Sequence, residues 1–369
     1  MLALKRIWTG LLGLALSGVV FALPVHALTA SFYTEKKILD DALDGSGGKG
    51  WNLGGQDVPA SDVLAIDLDN VNPRTTDFGI RLTDRTYLSG RFTDFTNGKE
   101  NVFECESFGP LKVGKEQVCS IYLGGYPGQM PELEAQGKQG VLLKTGEYTE
   151  GEVLYISDRY VGVKIASRIR KYNVSQLYVV VLKPMGPAGT SAASWQVLSQ
   201  NGDMLWAEAS DAGFKARIQN QDFALNMDRI SGAEQVKRTL PLEVLKSDAA
   251  MFRYGRNGEG RMLELSAQST LPQALWQRGP SSVGFKMPPG GRGVIFRAWR
   301  EPGFYRGQMK LQVGSGGQTL QEINLMPNQR SWEGVAPLGA ATQVSLSIAP
   351  GGDDSLGDRV IWQRFLVYK

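Results

Sequence analysis

Four pairs of an aromatic residue and an arginine lie within residues 276–332. An aromatic ring packs against the apolar C–H face of a sugar, and nearby polar groups bind the sugar hydroxyls. The same aromatic residues also suit the core of a β-sandwich, so each pair has a binding and a structural interpretation. The binding interpretation predicts a carbohydrate site. The pairs are Trp276 with Arg278, Trp299 with Arg300, Tyr305 with Arg306, and Trp332 beside Arg330.

The glycine-rich segment 350–358 contains three aspartates, Asp353, Asp354 and Asp358. Carboxylate oxygens are suitable ligands for a hard cation such as calcium. The alternative is a solvated turn in which Asp358 accepts hydrogen bonds from backbone amides. A structural calcium ion is therefore the one cofactor that the sequence suggests.

The N-terminal segment has the pattern of a signal peptide. Lys5 and Arg6 precede an apolar run, and Val25 and Ala27 supply the small residues of a cleavage site. Residues 1–27 thus predict a cleaved signal peptide and a periplasmic or extracellular protein. The alternative is an uncleaved membrane anchor, because the run is near the lower length limit of a spanning helix.

Cleavage after Ala27 removes the only histidine, His26. Nucleophile systems that use histidine and histidine zinc sites are then excluded. Catalysis would need paired carboxylates, lysine or tyrosine, and no such constellation stands out in the sequence. The sequence predicts a protein that is not an enzyme, with a two-carboxylate glycosidase as an alternative.

Net charge does not identify a partner. The chain has 40 Lys and Arg residues against 37 Asp and Glu residues, a formal net charge of +3. A nucleic-acid-binding protein carries a stronger basic footprint. We therefore expect no nucleic acid partner.

Cys105 and Cys119 are the only two cysteines. In an exported protein, two cysteines most simply form one disulfide bond. A catalytic redox pair would have the C-x-x-C spacing, which is absent here. The sequence therefore predicts a structural Cys105–Cys119 disulfide.

The chain is internally repetitive between residues 28 and 236. Residues 79–90 match residues 140–151 at an offset of 61, and residues 112–123 match residues 171–182 at an offset of 59. Each copy of such a pattern is normally one supersecondary unit. The first match retains two glycines, a leucine and a tyrosine, which are Gly79, Gly90, Leu82 and Tyr87 in one copy and Gly140, Gly151, Leu143 and Tyr148 in the other.

A closing strand with the spacing V-x4-V-x2-I-x-L recurs through this region. Short β-branched stretches are separated by Asp, Asn and Gly turns without a helical period, which predicts tandem small antiparallel β-barrels. The pattern resembles Sm-like barrels and the repeats of secreted planctomycete-type proteins. We predict a degenerate first repeat at 28–75, a second at 76–125, a third at 138–184 and a weak fourth at 195–236. The closing pattern begins at Val58, Val113, Tyr172 and, more faintly, Leu225.

Residues 240–369 predict a different domain. Strand candidates alternate with Gly and Pro turns at the spacing of a β-sandwich of the jelly-roll kind. Residues 279–287 and 293–298, and the terminal Gly357, Asp358 and Trp362, resemble the NPCBM family of carbohydrate-binding modules. That resemblance implies a galactose-binding-like fold and sugar binding. The family's Gly-x-His segment is replaced by Gly-Pro-Ser-Ser at 279–282. The resemblance therefore implies no ligand contact at these four residues.

Together these patterns predict an exported, all-β, non-catalytic glycan-binding protein. Its ligand would be a glycan or a cell-envelope polysaccharide, recognised through an aromatic and arginine platform on the sandwich. The alternative is a structural or assembly protein of the envelope whose barrel repeats bind protein partners. Trp362 is expected in the sandwich core.

Overall fold

The computed structural model confirms the all-β class. It describes residues 28–47, 50–68, 78–92, 95–96, 101–124, 138–184, 193–210, 213–219, 221–240, 242–244, 251–253, 275–300, 307–350 and 359–369. The described part of the chain holds no helix with enough consecutive apolar residues to cross a bilayer. The predicted signal peptide, Tyr305, Arg306 and the three aspartates of the calcium loop lie outside the described residues.

The first two repeats contain eleven strands. Each of these strands pairs with its neighbouring strands in the antiparallel direction. The first repeat contains β1 (Thr29–Thr34), β2 (Ile38–Gly47), β3 (Gly50–Leu53), β4 (Gln56–Pro59) and β5 (Val63–Leu68). The second contains β6 (Phe78–Leu82), β7 (Tyr87–Phe92), β8 (Phe95–Thr96), β9 (Asn101–Cys105), β10 (Gly109–Val113) and β11 (Val118–Leu123).

The third and fourth repeats follow the same order of strands. The third contains β12 (Gly140–Leu143), β13 (Tyr148–Glu150), β14 (Glu152–Ile156), β15 (Tyr160–Ile165), β16 (Arg168–Asn173) and β17 (Leu177–Val181). The fourth contains β18 (Trp195–Ser199), β19 (Met204–Ser210), β20 (Gly213–Ile218), β21 (Gln221–Asn226) and β22 (Ile230–Gln235). Single-turn 3-10 helices precede the last strand of the later three repeats, at Lys115–Gln117, Val174–Gln176 and Met227–Arg229.

In every repeat the first strand pairs with the last strand, which closes the barrel. The ladder shifts register at one β-bulge, and the bulge falls at the same place in the closing pattern each time. A bulge increases the local twist of a strand, which helps such short strands to curve into a barrel. The bulged residues are Leu64, Cys119, Tyr178 and Ser231.

The closing strands also join the repeats in pairs. In β11 and β17, Ile121 pairs with Val180, and in β5 and β22, Ile66 pairs with Ala233. The two members of each pair hold the same position of the closing pattern. Each junction is therefore antiparallel and locally two-fold, and one side of every closing strand closes its own barrel while the other binds a second repeat.

The repeated glycine and tyrosine have a steric explanation. A Cβ atom on Gly79 would lie 2.5 Å from the Tyr87 hydroxyl oxygen, and one on Gly140 would lie 2.9 Å from that of Tyr148. Each tyrosine thus crosses its neighbouring strand where no side chain projects. A larger residue at either glycine would displace the ring, which accounts for the glycine and tyrosine that both copies share.

The second and fourth repeats are linked through the buried carboxylate of Asp203. Its Oδ1 accepts hydrogen bonds from the Ser89 amide at 2.6 Å and the Ser89 hydroxyl at 2.7 Å. Its Oδ2 accepts from the hydroxyls of Ser199, at 2.7 Å, and Ser107. A buried carboxylate is tolerated when its oxygens are bonded in this way.

The sandwich consists of two packed sheets. One has the strand order β25-β26-β33-β28-β31, with β23 also paired to β33, and the other has the order β24-β27-β32-β29-β30. Their facing side chains form one apolar core that includes Trp362. The strands are β23 (Thr239–Leu240), β24 (Glu243–Val244), β25 (Met251–Arg253), β26 (Leu275–Arg278), β27 (Ser281–Lys286), β28 (Gly293–Arg300), β29 (Met309–Ser315), β30 (Gln318–Leu325), β31 (Ser331–Pro337), β32 (Gln343–Pro350) and β33 (Arg359–Tyr368). The predicted domain boundaries stay predictions.

The outer face of the first sheet packs on the first repeat. The guanidinium of Arg364 binds both carboxylate oxygens of Asp67, with its Nε 3.2 Å from Oδ2, and its Nη1 lies 3.6 Å from Glu234 Oε2. Burial alone would lower the pKa of Arg364, but the Asp67 charge and hydrogen bond outweigh it and hold the pKa above its ordinary value. An apolar cluster surrounds this pair and contains Tyr33, Leu64, Ala65, Ile295, Leu366 and Tyr368.

The predicted Cys105–Cys119 disulfide is wrong in this structure, because both cysteines are buried thiols that are not joined to each other. Cys105 packs in the barrel core, whereas Cys119 is a bulge residue outside that core cluster. The Cys119 thiol instead donates a hydrogen bond to the Lys183 carbonyl at 3.0 Å. The number of residues between the two cysteines sets the length of the loop that a disulfide would close. It does not show on which face of its strand each cysteine side chain lies.

We expect both thiols to be inert in the native protein. Burial, with the nearby Asp203 charge, raises the pKa of Cys105 to about 12, so the reactive thiolate is scarce at neutral pH. Titration with Ellman's reagent should find almost no reaction before unfolding. It should find both thiols after unfolding in guanidinium without reductant, and the absence of thiols at that stage would restore the disulfide.

Replacement of Arg364 by Met should destabilise the protein by about 3–5 kcal/mol, because it removes the counter-charge of the buried Asp67 carboxylate. Urea denaturation measures the loss. Lys310→Met breaks an exposed ion pair with Glu322 and is the control, for which we expect little change. A loss from Arg364→Met no larger than the control loss would contradict this role.

Candidate functional site

Among the predicted aromatic binding residues whose side chains the structure describes, Trp299 is the exposed one. It lies on β28 with 39% of its surface exposed. Its indole Nε1 donates a hydrogen bond to Gln363 Oε1 at 2.6 Å, which fixes the ring against the outer face of the sheet. Trp299 therefore presents an aromatic surface in one orientation.

The strand register places Trp276 in the same row as Trp299. Trp276 pairs with Ile361 of β33, and Ile361 pairs on its other side with Trp299, which pairs in turn with Ser331 of β31. Neighbouring strands are about 4.8 Å apart, so the two tryptophan Cα atoms are about 10 Å apart. The register thus brings two of the predicted aromatic residues together. Arg278 follows on the same strand, paired with Arg359.

Arg300 faces the opposite side of the strand from Trp299. It is 2% exposed, and its guanidinium donates hydrogen bonds to the Gly307 carbonyl at 2.9 Å and the Leu325 carbonyl at 2.7 Å. These bonds hold together the chain segments at one end of the sandwich. The structure therefore gives Arg300 a stabilising position, and a sugar would reach it only by displacing them.

Trp332 is half-buried against the sandwich core. Its ring centroid lies 4.5 Å from that of Phe296 and 6.3 Å from that of Trp362. Trp362 is buried and donates its indole N–H to Gln277 Oε1 at 2.9 Å. Both rings belong to one aromatic cluster under the sheet, on the other side from Trp299.

The exposed row at Trp299 borders the first repeat. Arg297, two residues earlier on the same face, is buried there: its Nη1 donates to Ser31 Oγ at 2.8 Å, and its Nη2 lies 2.6 Å from Asp40 Oδ2 and 2.6 Å from Glu333 Oε2. Burial acts to lower the pKa of Arg297, but the acceptors around it outweigh this and raise it above the ordinary value. The first repeat thus covers the sheet as far as Arg297 and leaves Trp299 open.

The two carboxylates that bind Arg297 are themselves half-exposed, with 49% of the Asp40 side chain and 48% of the Glu333 side chain accessible. These two carboxylates, which we call the acidic wall, lie beside the row of Trp276, Ile361 and Trp299. In a glycosidase, substrate or water lies between the two carboxyl groups and one of them is protonated. Here a guanidinium lies between them, so the arrangement suits hydrogen-bond acceptance and not acid–base catalysis.

Asp40, Glu333, Ile361 and Gln363 were missed by sequence reasoning. Ile361 and Gln363 had a usable signal, because they alternate with Val360 and Trp362 on the last strand and period-two alternation separates the two faces of a sheet. Asp40 had none, since it reaches the sandwich from a distant repeat.

The calcium prediction is not tested, because Asp353, Asp354 and Asp358 lie outside the described residues. Within the described residues no group of three or more His, Cys, Asp or Glu side chains could hold a metal ion. The predicted pair of Tyr305 and Arg306 is likewise outside them.

No family model matches the sequence, and no curated protein matches it. Similar solved structures include CBM51 from Clostridium perfringens GH95 in complex with methyl-galactose, at 12% identity over 32% of this chain and 79% of that chain, with a TM-score of 0.23. The tandem CBM51 modules of Sp3GH98 from Streptococcus pneumoniae match at 10% identity over 80% of this chain and 89% of that chain, with a TM-score of 0.24. The CBM51-2 and INT domains of Clostridium perfringens ZmpB match at 9% identity over 60% and 39%, with a TM-score of 0.25. Scores this low identify no common site, and the resemblances to NPCBM modules and Sm-like barrels stay predictions.

Replacement of Arg300 by Met should lower the free energy of unfolding by about 2–4 kcal/mol, because it leaves buried carbonyls without their donors. Arg159→Met is the matched control, since this arginine is largely exposed in the third repeat. Thermal and urea denaturation measure the difference. If the two variants lose equal stability, Arg300 is not the stabilising residue described here.

Proposed function

We propose that the chain is an exported, non-catalytic glycan-binding protein, which acts in the periplasm or outside the cell. Its binding surface is the row of Trp276, Ile361 and Trp299 on the outer sheet of the sandwich, with two aromatic residues and one aliphatic residue. The observation that carries the proposal is the exposed Trp299 ring, which is held by Gln363.

Trp299 is more exposed than the other tryptophans whose side chains the structure describes. Trp51, Trp195 and Trp362 are buried, and each serves a domain core. Burying a large aromatic ring is strongly favourable, so a ring left on a sheet face commonly marks a binding surface. A sugar stacked on Trp299 would gain that burial.

Polar groups surround the row and suit the hydroxyls of a sugar. Ser331 supplies a hydroxyl beside Trp299, and the free oxygens of Asp40 and Glu333 accept hydrogen bonds. A carboxylate already bonded to a guanidinium is held in place, so it accepts a further bond without a large loss of side-chain freedom. This combination favours a neutral or hydroxyl-rich glycan over an acidic one.

An envelope structural or assembly protein is the second candidate. It is favoured by the third repeat, where Ile169 and Tyr160 are the two most exposed of the large apolar side chains described. Such side chains on a barrel repeat suit a protein partner.

Substitution of Trp299 by Ala should weaken glycan binding by at least about tenfold, as expected for an aromatic residue at the centre of a binding surface. A glycan array identifies ligands of the full chain without its first 27 residues, and calorimetry then compares the variants. Trp206→Ala is the matched control, because Trp206 is a partly exposed tryptophan of the fourth repeat whose Nε1 bonds to the Asp84 carbonyl.

Glycan binding that survives both Trp299→Ala and Trp276→Ala would contradict the proposed surface. The absence of any glycan ligand, together with co-purification of envelope proteins, would favour the second candidate. Hydrolysis of a glycan by the purified protein would overturn the non-catalytic assignment.

A further inference from the structure

The next-to-last strand of each barrel repeat lies at a sheet edge in the described structure. In the described part of the chain, β4, β10, β16 and β21 each pair only with the strand before them. An edge strand presents unpaired N–H and C=O groups to which another extended segment can add. The four repeats therefore offer four edges that can be compared within one molecule.

Three of these edges carry features that discourage strand addition. β4 contains Pro59 and β10 contains Pro110, and proline has no N–H to donate. β21 contains Asp222, whose carboxylate is 2.9 Å from Lys215 and 3.8 Å from Arg217 on the neighbouring strand. The charge of this edge is thereby neutralised from within its own hairpin.

The edge of β16 differs from the other three. Its sequence, Arg-Ile-Arg-Lys-Tyr-Asn, contains no proline, and all six residues pair with β15. Arg168, Arg170 and Lys171 are exposed, and none of them forms an ion pair within the described residues. Lys164, one strand inward, is by contrast paired with Glu152 at 3.6 Å. Among the residues that the structure describes, these three cations thus have no counter-charge.

Apolar side chains accompany these cations. Ile169, between Arg168 and Arg170, is 56% exposed, and Tyr160 on β15 is 44% exposed. The register pairs Ile169 with Lys164 and Asn173 with Tyr160, which places both apolar residues on one face of the hairpin. The arginines point to the other face, since side chains alternate along a strand.

We propose that the free edge of β16 binds an acidic, extended segment of another protein by β-strand addition. The main-chain groups of β16 pair with the segment. Its carboxylates contact Arg168 and Arg170, and its apolar residues contact Ile169 on the opposite face. The same cations repel a second copy of β16, so the edge is closed to self-association and open to an acidic strand.

A labelled peptide of alternating glutamate and valine, matched in length to β16, tests this with fluorescence anisotropy on the full chain without its first 27 residues. We expect binding that weakens by about tenfold in the Arg168→Ala/Arg170→Ala double variant, because two exposed charge contacts are lost. Lys215→Ala/Arg217→Ala removes two cations from the equivalent hairpin of the fourth repeat and should leave binding unchanged. Thermal unfolding confirms that both variants fold.

Backbone pairing is tested with two further peptides that are N-methylated at alternate residues, one set on the glutamates and the other on the valines. Methylation leaves the charge unchanged but removes the N–H groups, so one of the two peptides should lose binding.

Equal binding by all three peptides would overturn the proposal, as would no binding by the parent peptide. Tighter binding of polygalacturonate at the same arginines would also overturn it, in favour of an acidic polysaccharide. Trp299→Ala should bind the peptide normally, so this result is independent of glycan binding.

Discussion

The buried ion pair between Arg364 and Asp67 determines how the two halves of the protein meet. Asp67 lies on the closing strand of the first repeat, and that strand also pairs with the closing strand of the fourth repeat, where Glu234 approaches the same guanidinium. One arginine of the sandwich therefore binds two repeats at once. Neither charge can be left alone in this environment, since desolvation of an unpaired ion costs more than most single contacts supply. The neighbouring Arg297 extends the contact and ends it just before Trp299.

The repeats use one strand for two purposes. Each closing strand completes its own barrel through a bulged ladder and joins a second repeat through a symmetric one. This arrangement pairs both edges of every closing strand, and within the described residues each next-to-last strand keeps an unpaired edge. The differences among those next-to-last strands, in proline content and in charge balance, therefore stand out against an otherwise common framework. The third repeat is the one in which the edge is both open and charged.

Much of the fold was predictable, because it depends on local periodicity. Turn residues between β-branched stretches indicated an all-β chain. The contact between Gly79 and Tyr87 requires both residue types, and these residues made the repeat detectable in the sequence. The disulfide prediction failed because spacing along the chain does not say which face a side chain occupies at a bulge. Trp299 and Arg300 were proposed as a pair, yet adjacent residues in a strand face opposite sides. The acidic wall could not be predicted, since Asp40 and Glu333 meet only after the domains dock.

The position of β33 has a consequence for biosynthesis. This strand is central in its sheet, between β26 and β28, and Arg364 on it is separated from Asp67 by 297 residues. At a synthesis rate of about 5–20 residues per second, the carboxylate of Asp67 waits about 15–60 s for its counter-ion. Until then the nascent first repeat holds the Asp67 carboxylate without its arginine counter-charge, at a position that is buried in the folded protein. Docking of the sandwich on the first repeat therefore cannot be completed until β33 has been synthesised, whereas the apolar core of the repeats does not depend on that strand.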